Sequence, residues 1–263
     1  MILCKYFPEK EFATQEELFL EIKKNKSFLI AQKKSAVKYA DAVFYSENKN
    51  DVLAVAKTIS KAADSLDATL IINTTKLLDS HNDVHIDGLW TKNVKENPTK
   101  LLLQEHKMAF NFIISDTVTP SVKNFTWKQL GFNYKGVTEA LVFNTSITKD
   151  RNEFMFSQYA KGYVKEHSVG MQYVKLFLAI NSEHPDLAEE KQIWDKYYPE
   201  IVNQDKADEN GYFWAITEAK AIEGSAVVKG SNYATPTLDV HESKEINTNE
   251  PLHNTQNKNR RMI

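Results

Sequence analysis

Two segments of the chain carry side chains that suit nucleophilic and acid–base chemistry. His106 follows the apolar run 101–103, and an imidazole held at a strand end can reach a cleft and act as a general base. Ser168 is followed by Val169 and Gly170. A glycine there permits a tight or positive-φ backbone, and the adjacent amides can bind an oxyanion beside an attacking hydroxyl. The hydroxyl and the imidazole together would support nucleophilic catalysis.

Ser168 needs a base from elsewhere in the chain. His167 is its neighbour, and neighbours in an extended chain point to opposite faces, so His167 is a poor base for it. Glu223 lies within the largely apolar run 212–228. A carboxylate there costs free energy unless it is paired, and an imidazolium partner would satisfy it and orient the base. The alternatives are structural: Ser168 begins a strand with Gly170 as a bulge, and Glu223 faces solvent on an edge strand.

A third segment, Asp79-Ser-His81-Asn-Asp83-Val-His85, has the residue types of a metal site. In an extended conformation its alternate residues project from one face, which would place two carboxylates and two imidazoles together. Such a set could hold zinc or manganese and would indicate a metal-dependent hydrolase. The alternative is a polar loop, because short Asp/His clusters without a distant third ligand are common in loops.

Composition limits the classes of protein to which these residues can belong. The 263 residues include 33 Lys and Arg against 35 Asp and Glu, a net charge of −2 that gives no reason to expect a nucleic-acid partner. No apolar run approaches the ~20 residues needed to span a bilayer, and the N-terminus lacks a signal-peptide pattern. Cys4 is the single cysteine, which excludes an intrachain disulfide and a cysteine zinc knuckle. We therefore expect a soluble protein of a reducing cytoplasm.

The elements that must position these residues are predicted from periodicity. Helical spacing predicts helices over Gln15–Lys24 and residues 51–65, with two later ones that open at capping-box signatures near Asp150 and Asp186. Strands are predicted from Ala68 onward, at residues 68–73, 101–103, 110–114, 140–143, 173–180 and 212–228, the last broken at Gly224. Residues 239–263 contain five Asn and no aromatic residue, which predicts a flexible tail.

Four blocks, taken in order, resemble the prohead proteases of tailed phages, whose fold is similar to that of the herpesvirus assemblins. They cover about residues 70–238. The blocks are Asn73-Thr-Thr with Leu78-Asp79-Ser-His-Asn-Asp83 and Gly88-Leu-Trp90, Leu101-Leu-Leu-Gln-Glu-His106, Gly162-Tyr-Val-Lys-Glu-His-Ser168-Val-Gly-Met171, and Ile222-Glu223-Gly-Ser225-Ala-Val with Gly230-Ser-Asn232 and Pro236.

The resemblance implies a serine endopeptidase of capsid maturation. Ser168 would be the nucleophile, His106 its general base and Glu223 the third member, with the backbone amides of Val169 and Gly170 as the oxyanion hole. The implied substrates are the phage scaffold, the delta-type segment of the major capsid protein and the protease itself, inside the assembling procapsid in the host cytoplasm. Self-association is left open, and the resemblance implies no cofactor, no metal, no nucleic acid and no membrane.

The resemblance also implies an α+β fold, in which a mainly antiparallel, barrel-like β core is flanked by helices. It divides the chain into a helical N-terminal extension (1–67), a protease domain (68–238) with a helical insertion at about 183–210, and a flexible C-terminal tail (239–263). Both end segments would be capsid-targeting pieces removed by self-cleavage. Two alternatives remain at this point: a catalytically inactive scaffold or capsid-assembly protein with the same fold, and the metal-dependent hydrolase built on Asp79, His81, Asp83 and His85.

Overall fold

A computed structural model describes residues 1–36, 59–60 and 62–243, which form an α+β structure. An eight-stranded sheet carries the core, and a two-stranded hairpin and short helices pack around it. The strands are β1 (Ile2–Cys4), β2 (Phe7–Phe12), β3 (Ser65–Thr74), β4 (Asp83–His85), β5 (Lys100–Gln104), β6 (Ile113–Thr126), β7 (Val137–Thr148), β8 (Glu166–Ile180), β9 (Tyr212–Val227) and β10 (Thr237–Glu242). The helices are α1 (Gln15–Lys24), α2 (Lys26–Ser35), α3 (Thr91–Glu96), α4 (Glu153–Ala160), α5 (Ala188–Tyr197) and α6 (Gln204–Asn210).

The large sheet is mixed rather than purely antiparallel. Its order is β10-β3-β7-β6-β5-β9-β4, and β8 pairs with β9 along nearly its whole length. Strands β4 and β5 run parallel to β9, whereas the other pairs are antiparallel. A single bridge, Glu166 to Pro236, brings the start of β8 close to β10. No continuous ladder joins these two strands in the described residues, so the expected barrel-like core is an open sheet.

Most predicted strands lie inside strands of the structure. Residues 68–73 belong to β3, 101–103 to β5, 140–143 to β7 and 173–180 to β8. Strand β9 is continuous through Gly224, contrary to the predicted break. The glycine makes room for the ring of Phe143, one carbon of which lies 2.5 Å from where a Cβ would be. Residues 110–112 form a 3-10 turn instead of a strand, and β6 begins only at Ile113.

Three of the four predicted helices are right in position, and they are less accurate at the caps. The first predicted helix coincides with α1, whose N-cap Thr14 accepts a hydrogen bond from the Glu17 amide. For α4 the cap is Asn152, whose side chain accepts from the Met155 amide, and Asp150 lies outside the helix. Helices α5 and α6 occur where the helical insertion is predicted, between β8 and β9. No helix in the described part of the chain is long and apolar enough to cross a membrane.

The two ends of the chain differ from their predicted descriptions. Residues 1–36 contain the β1–β2 hairpin as well as two helices, and their apolar side chains belong to the main core: Phe12, Leu18, Phe19, Ile22 and Leu29. The predicted helix 51–65 falls mainly outside the described residues, and its last residue, Ser65, begins β3. At the other end, residues 239–242 of the predicted tail are paired with β3 in β10. Residues 244–263 lie outside the described residues.

Candidate active site

The predicted base and the predicted third member are in direct contact. His106 Nδ1 lies 2.6 Å from Glu223 Oε1, and the two side chains are 8% and 1% exposed. A carboxylate only accepts hydrogen bonds when it is ionised, so Nδ1 carries the proton and donates it to Glu223. In the neutral ring this leaves Nε2 as the basic nitrogen. The pair therefore has the arrangement of an imidazole oriented for proton transfer.

A strained turn places His106 at the end of β5. The Lys107 amide donates to the Gln104 carbonyl at 3.1 Å, which closes a turn whose central residues, Glu105 and His106, have φ of +50° and +58°. Residues with a Cβ rarely adopt this left-handed region, which costs roughly 1–2 kcal/mol per residue. Two such residues in succession are the kind of backbone outlier that tends to occur at functional sites.

Ser225 connects the two partners, and sequence reasoning did not assign it a role. Its hydroxyl donates to Glu223 Oε2 at 2.6 Å and accepts from the backbone amide of His106 at 3.0 Å. Because it is fully buried, it positions the pair rather than meeting a substrate. The spacing Glu223-x-Ser225 could have indicated this role, because residues two apart in a strand lie on the same face.

Ser168 lies on the neighbouring strand, on the same face of the sheet. In the antiparallel pairing of β8 with β9, Ser168 is opposite Ser225 and Gly170 is opposite Glu223. Directly opposite residues have Cβ atoms about 4.5–5.5 Å apart and side chains on one face. The Ser168 hydroxyl has no hydrogen-bond partner among the described residues, His106 included. The structure thus brings His106 and Glu223 together beside Ser168, without a hydrogen bond from Ser168 to the imidazole.

Gly170 has a different role from the one predicted. Its φ is not positive, so it does not make the expected tight turn. Instead, a Cβ on Gly170 would lie 2.0 Å from Glu223 Oε1, in the space that the carboxylate occupies. A bulge is present here, but it lies in β9 and not at Gly170: Gly170 pairs with Glu223, Met171 pairs with Ala221, and Ile222 is left without a partner residue. Glycine is required here by the close approach of the Glu223 carboxylate.

The two predicted oxyanion amides point to opposite edges of β8. The His167 amide donates to the Thr235 carbonyl, away from β9. Successive amides of a strand alternate in direction, so the Val169 amide points to that same outer edge and the Gly170 amide points toward β9. Val169 also lines a small cavity beside Ser168. The geometry favours Val169 over Gly170 as an oxyanion donor.

His167 lies on the opposite face of β8, as the alternation predicts. Its Nε2 lies 2.9 Å from the Tyr159 hydroxyl, and its Nδ1 lies 3.2 Å from the Thr235 carbonyl. The ring is completely buried and stacks on Tyr159. Burial lowers the pKa of His167 to about 4, since the charged imidazolium is disfavoured away from water. His167 is a structural residue of the core.

Within the Asp79–His85 segment, Asp79–Asn82 forms a turn and only Asp83–His85 is extended, as strand β4. Asp79 Oδ1 accepts from the amides of His81 and Asp83 at 2.8 and 2.9 Å, which caps the turn. The Asp83 carboxylate is bound by Lys33 Nζ at 2.5 Å and by the Tyr173 hydroxyl at 2.8 Å. These contacts use the carboxylates for structure. No group of three or more His, Cys, Asp or Glu side chains in the described residues is arranged to hold a metal ion.

A second imidazole–carboxylate pair approaches Ser168 from the turn. His81 Nδ1 lies 3.9 Å from Asp79 Oδ2, and both residues border, with Ser168, a cavity of about 10 Å³. That is close to the smallest volume that holds one water molecule. Burial would raise the pKa of Asp79, but the interaction with His81 outweighs it and lowers the pKa to about 2. Ser168 thus shares a cavity with His81, whereas the His106–Glu223 pair is placed beside it by the pairing of β8 with β9.

Comparison of the chain with protein-family models, with curated proteins and with solved structures found no match.

Proposed function

We propose that this chain is a serine endopeptidase, with Ser168 as nucleophile, His106 as general base and Glu223 as the residue that orients the base. The observation that carries the proposal is the 2.6 Å contact between His106 and Glu223, directly beside Ser168 on one face of the sheet. Three residues from separate parts of the chain converge there, and a buried His–carboxylate pair next to a hydroxyl is suited to activate it.

In the proposed mechanism, His106 Nε2 removes the proton of Ser168 as its oxygen attacks a peptide carbonyl carbon. The Val169 amide stabilises the oxyanion that forms, and Glu223 stabilises the imidazolium through its Nδ1–H. His106 then gives the proton to the leaving amine, which breaks the peptide bond and leaves an acyl-serine. A water molecule, deprotonated by His106, hydrolyses that ester and restores Ser168. Substrate binding must shorten the Ser168–His106 gap, as catalytic contacts often tighten in the bound complex.

The biological setting follows from the resemblance to phage prohead proteases with an assemblin-like fold. On this proposal the enzyme cleaves the scaffold, the delta-type segment of the major capsid protein and itself within the assembling procapsid. The sheet is mainly antiparallel, as expected, but it is open and not barrel-like, so the order of the sequence blocks and the His106–Glu223 pair support the assignment more than the sheet does.

The catalytic proposal is tested by labelling the purified full chain with a fluorophosphonate probe and by self-processing. We expect wild type and the control Ser35→Ala, on the exposed end of α2, to label equally, and Ser168→Ala to remain unlabelled. Replacement of His106 by Gln should slow labelling by about 10²-fold or more, the usual contribution of a general base. Wild type that never labels and never cleaves itself or a co-expressed capsid protein would favour the inactive scaffold protein instead.

The two nearby histidines are distinguished by the same assay. We expect His81→Gln to label within a few-fold of wild type, because His81 contacts the capping carboxylate Asp79 only at 3.9 Å. If His81→Gln abolishes labelling while His106→Gln leaves it intact, the His81–Asp79 pair is the base and the assignment of His106 is wrong.

A further inference from the structure

A cleft lies beside the candidate catalytic residues. Its volume is about 450 Å³, within the range of small-molecule sites, and it is bounded by the ends of β5, β8 and β9 and by α4. Each of the three strands adjoins the site, because Glu105 precedes His106, Ala226 follows Ser225, and Glu166 lies two residues before Ser168 on the same face.

The wall of the cleft exposes large apolar side chains. Phe154, Tyr163 and Val228 all line it, and they are 61%, 65% and 82% exposed. Exposed apolar side chains grouped around a cleft often mark a binding site.

The carboxylates of the cleft already have partners within the chain. Glu166 accepts from the Gly230 amide at 3.3 Å and lies 3.5 Å from Lys229 Nζ. Glu105 is paired with Lys107 at 2.8 Å. Because both carboxylates are engaged, the cleft is not arranged to select a basic side chain. Lys165 also lines it beside the apolar wall, so the Glu guest in the test below measures whether charge or apolar surface governs binding.

Building on the proposed function, we infer that this cleft binds one aromatic or large aliphatic side chain of an extended polypeptide substrate, next to the bond that is cleaved. Alternate residues of a strand are about 6.6 Å apart. Glu166, which lines the cleft, therefore lies about that distance along β8 from Ser168. In an extended substrate, side chains on one face recur at the same interval. A substrate carbonyl at Ser168 therefore places a neighbouring side chain in the cleft.

The inference is tested by binding, independently of cleavage. The full chain with Ser168→Ala is titrated into short fluorescein-labelled Gly-Ser peptides that carry one central guest residue: Phe, Leu, Gly, Lys or Glu. Burial of a large apolar side chain predicts binding about ten-fold tighter for the Phe and Leu guests than for the others. Phe154→Ser and Tyr163→Ser should each remove most of that preference. The matched control is Phe28→Ser, since Phe28 is 66% exposed on α2 and does not line the cleft.

A second readout locates the bound peptide. The methyl signal of Met155, which lines the cleft, should shift with the Phe peptide and not with the Gly peptide. Equal binding of all guests, or a preference that survives Phe154→Ser and Tyr163→Ser, overturns the inference even if the fluorophosphonate labels Ser168. Apolar selectivity without any labelling of wild type would uphold the cleft as a peptide site and reject the endopeptidase.

Discussion

At the level of single residues, the contact between His106 and Glu223 depends on the missing Cβ of Gly170. Any side chain there would meet the Glu223 carboxylate, which would have to leave the imidazole. The orientation of His106, the proposed base, is thus linked to a residue of the strand that carries Ser168, the proposed nucleophile. Ser225 holds the same carboxylate from β9 and fixes the backbone of His106.

Gly170→Ala should therefore damage the site through Glu223. We expect it to slow fluorophosphonate labelling strongly and to destabilise the fold by about 1–3 kcal/mol, the usual cost of overpacking. The measurement is a double-mutant cycle by urea unfolding. In a Glu223→Ala background, Gly170→Ala should cost almost nothing, because the clash is gone. A full additive cost in that background would show that the carboxylate is not the obstacle.

His167 predicts a specific dependence of stability on pH. Burial lowers its pKa to about 4 in the folded chain, against 6.5 in the unfolded chain. Below pH 6.5 the unfolded state binds a proton that the folded state excludes, so stability is complete above 6.5 and falls as the pH drops toward 4. The difference of 2.5 pKa units corresponds to about 3 kcal/mol.

This pH dependence is checked by urea unfolding between pH 7 and 4. His167→Gln should lose much less stability over this interval than wild type. The buried His85, whose pKa is also lowered by burial, contributes the dependence that remains. The control His241→Gln, at a 40% exposed histidine, should follow wild type. An unchanged pH profile in His167→Gln would contradict the buried neutral state.

At the level of elements, the turn Gln104–Lys107 has to hold His106 in a backbone conformation that its side chain disfavours. Glu105 shares that conformation, and its side chain pairs with Lys107 rather than with Glu223 or Ser225. Its amide donates to the Ala226 carbonyl at 3.0 Å, which anchors the turn to β9. The strain is therefore balanced by the pairing of β5 with β9.

Glu105→Gly should stabilise the protein by about 1 kcal/mol, because glycine adopts positive φ without the Cβ penalty. The control is Glu105→Ala, which also removes the exposed ion pair with Lys107 but keeps the Cβ. Thermal melting of the two variants gives the comparison. A melting temperature for the glycine variant at or below that of the alanine variant would show that this turn stores no backbone strain.

At the level of the whole molecule, the N-terminal segment is part of the core. Lys33 is 5% exposed, and its ammonium pairs with the buried Asp83, which also anchors the turn beside Ser168. Removal of one member of a buried ion pair leaves an uncompensated charge. The proposed removal of residues 1–67 by self-cleavage would delete this lysine together with the apolar residues that α1 and α2 contribute.

Lys33→Met should therefore cost about 3–5 kcal/mol of unfolding free energy. Lys33→Met with Asp83→Asn should recover part of this loss, because a neutral amide can be buried more cheaply than an unpaired carboxylate. Lys34→Met, at the exposed neighbouring position, is the control. Mass spectrometry of self-processed protein should also retain residues 1–36, and an active product that lacks them would contradict their role in the core.

The sequence by itself determined the local features of this protein. Periodicity indicated α1, the interiors of β3, β5, β7 and β8, and the helices between β8 and β9, because these patterns reflect which face of an element is buried. The alternation of faces in a strand also separated His167 from Ser168. Helix caps, the parallel pairing of β5 with β9 and the end of the tail were less predictable, since they depend on contacts with distant residues.

Only the tertiary structure decided which chemical groups meet. The contact of His106 with Glu223 spans 117 positions of the chain, and no local pattern specifies it. Gly170 illustrates the difference: sequence indicated that a glycine was needed, but the reason is a carboxylate from the adjacent strand rather than a turn. The residue types of Asp79 and Asp83 likewise suggested metal binding. In the structure, Asp79 accepts hydrogen bonds from backbone amides, and Asp83 is bound by Lys33 and Tyr173. Burial and pairing between strands set these partners, and they arise only when the whole sheet forms.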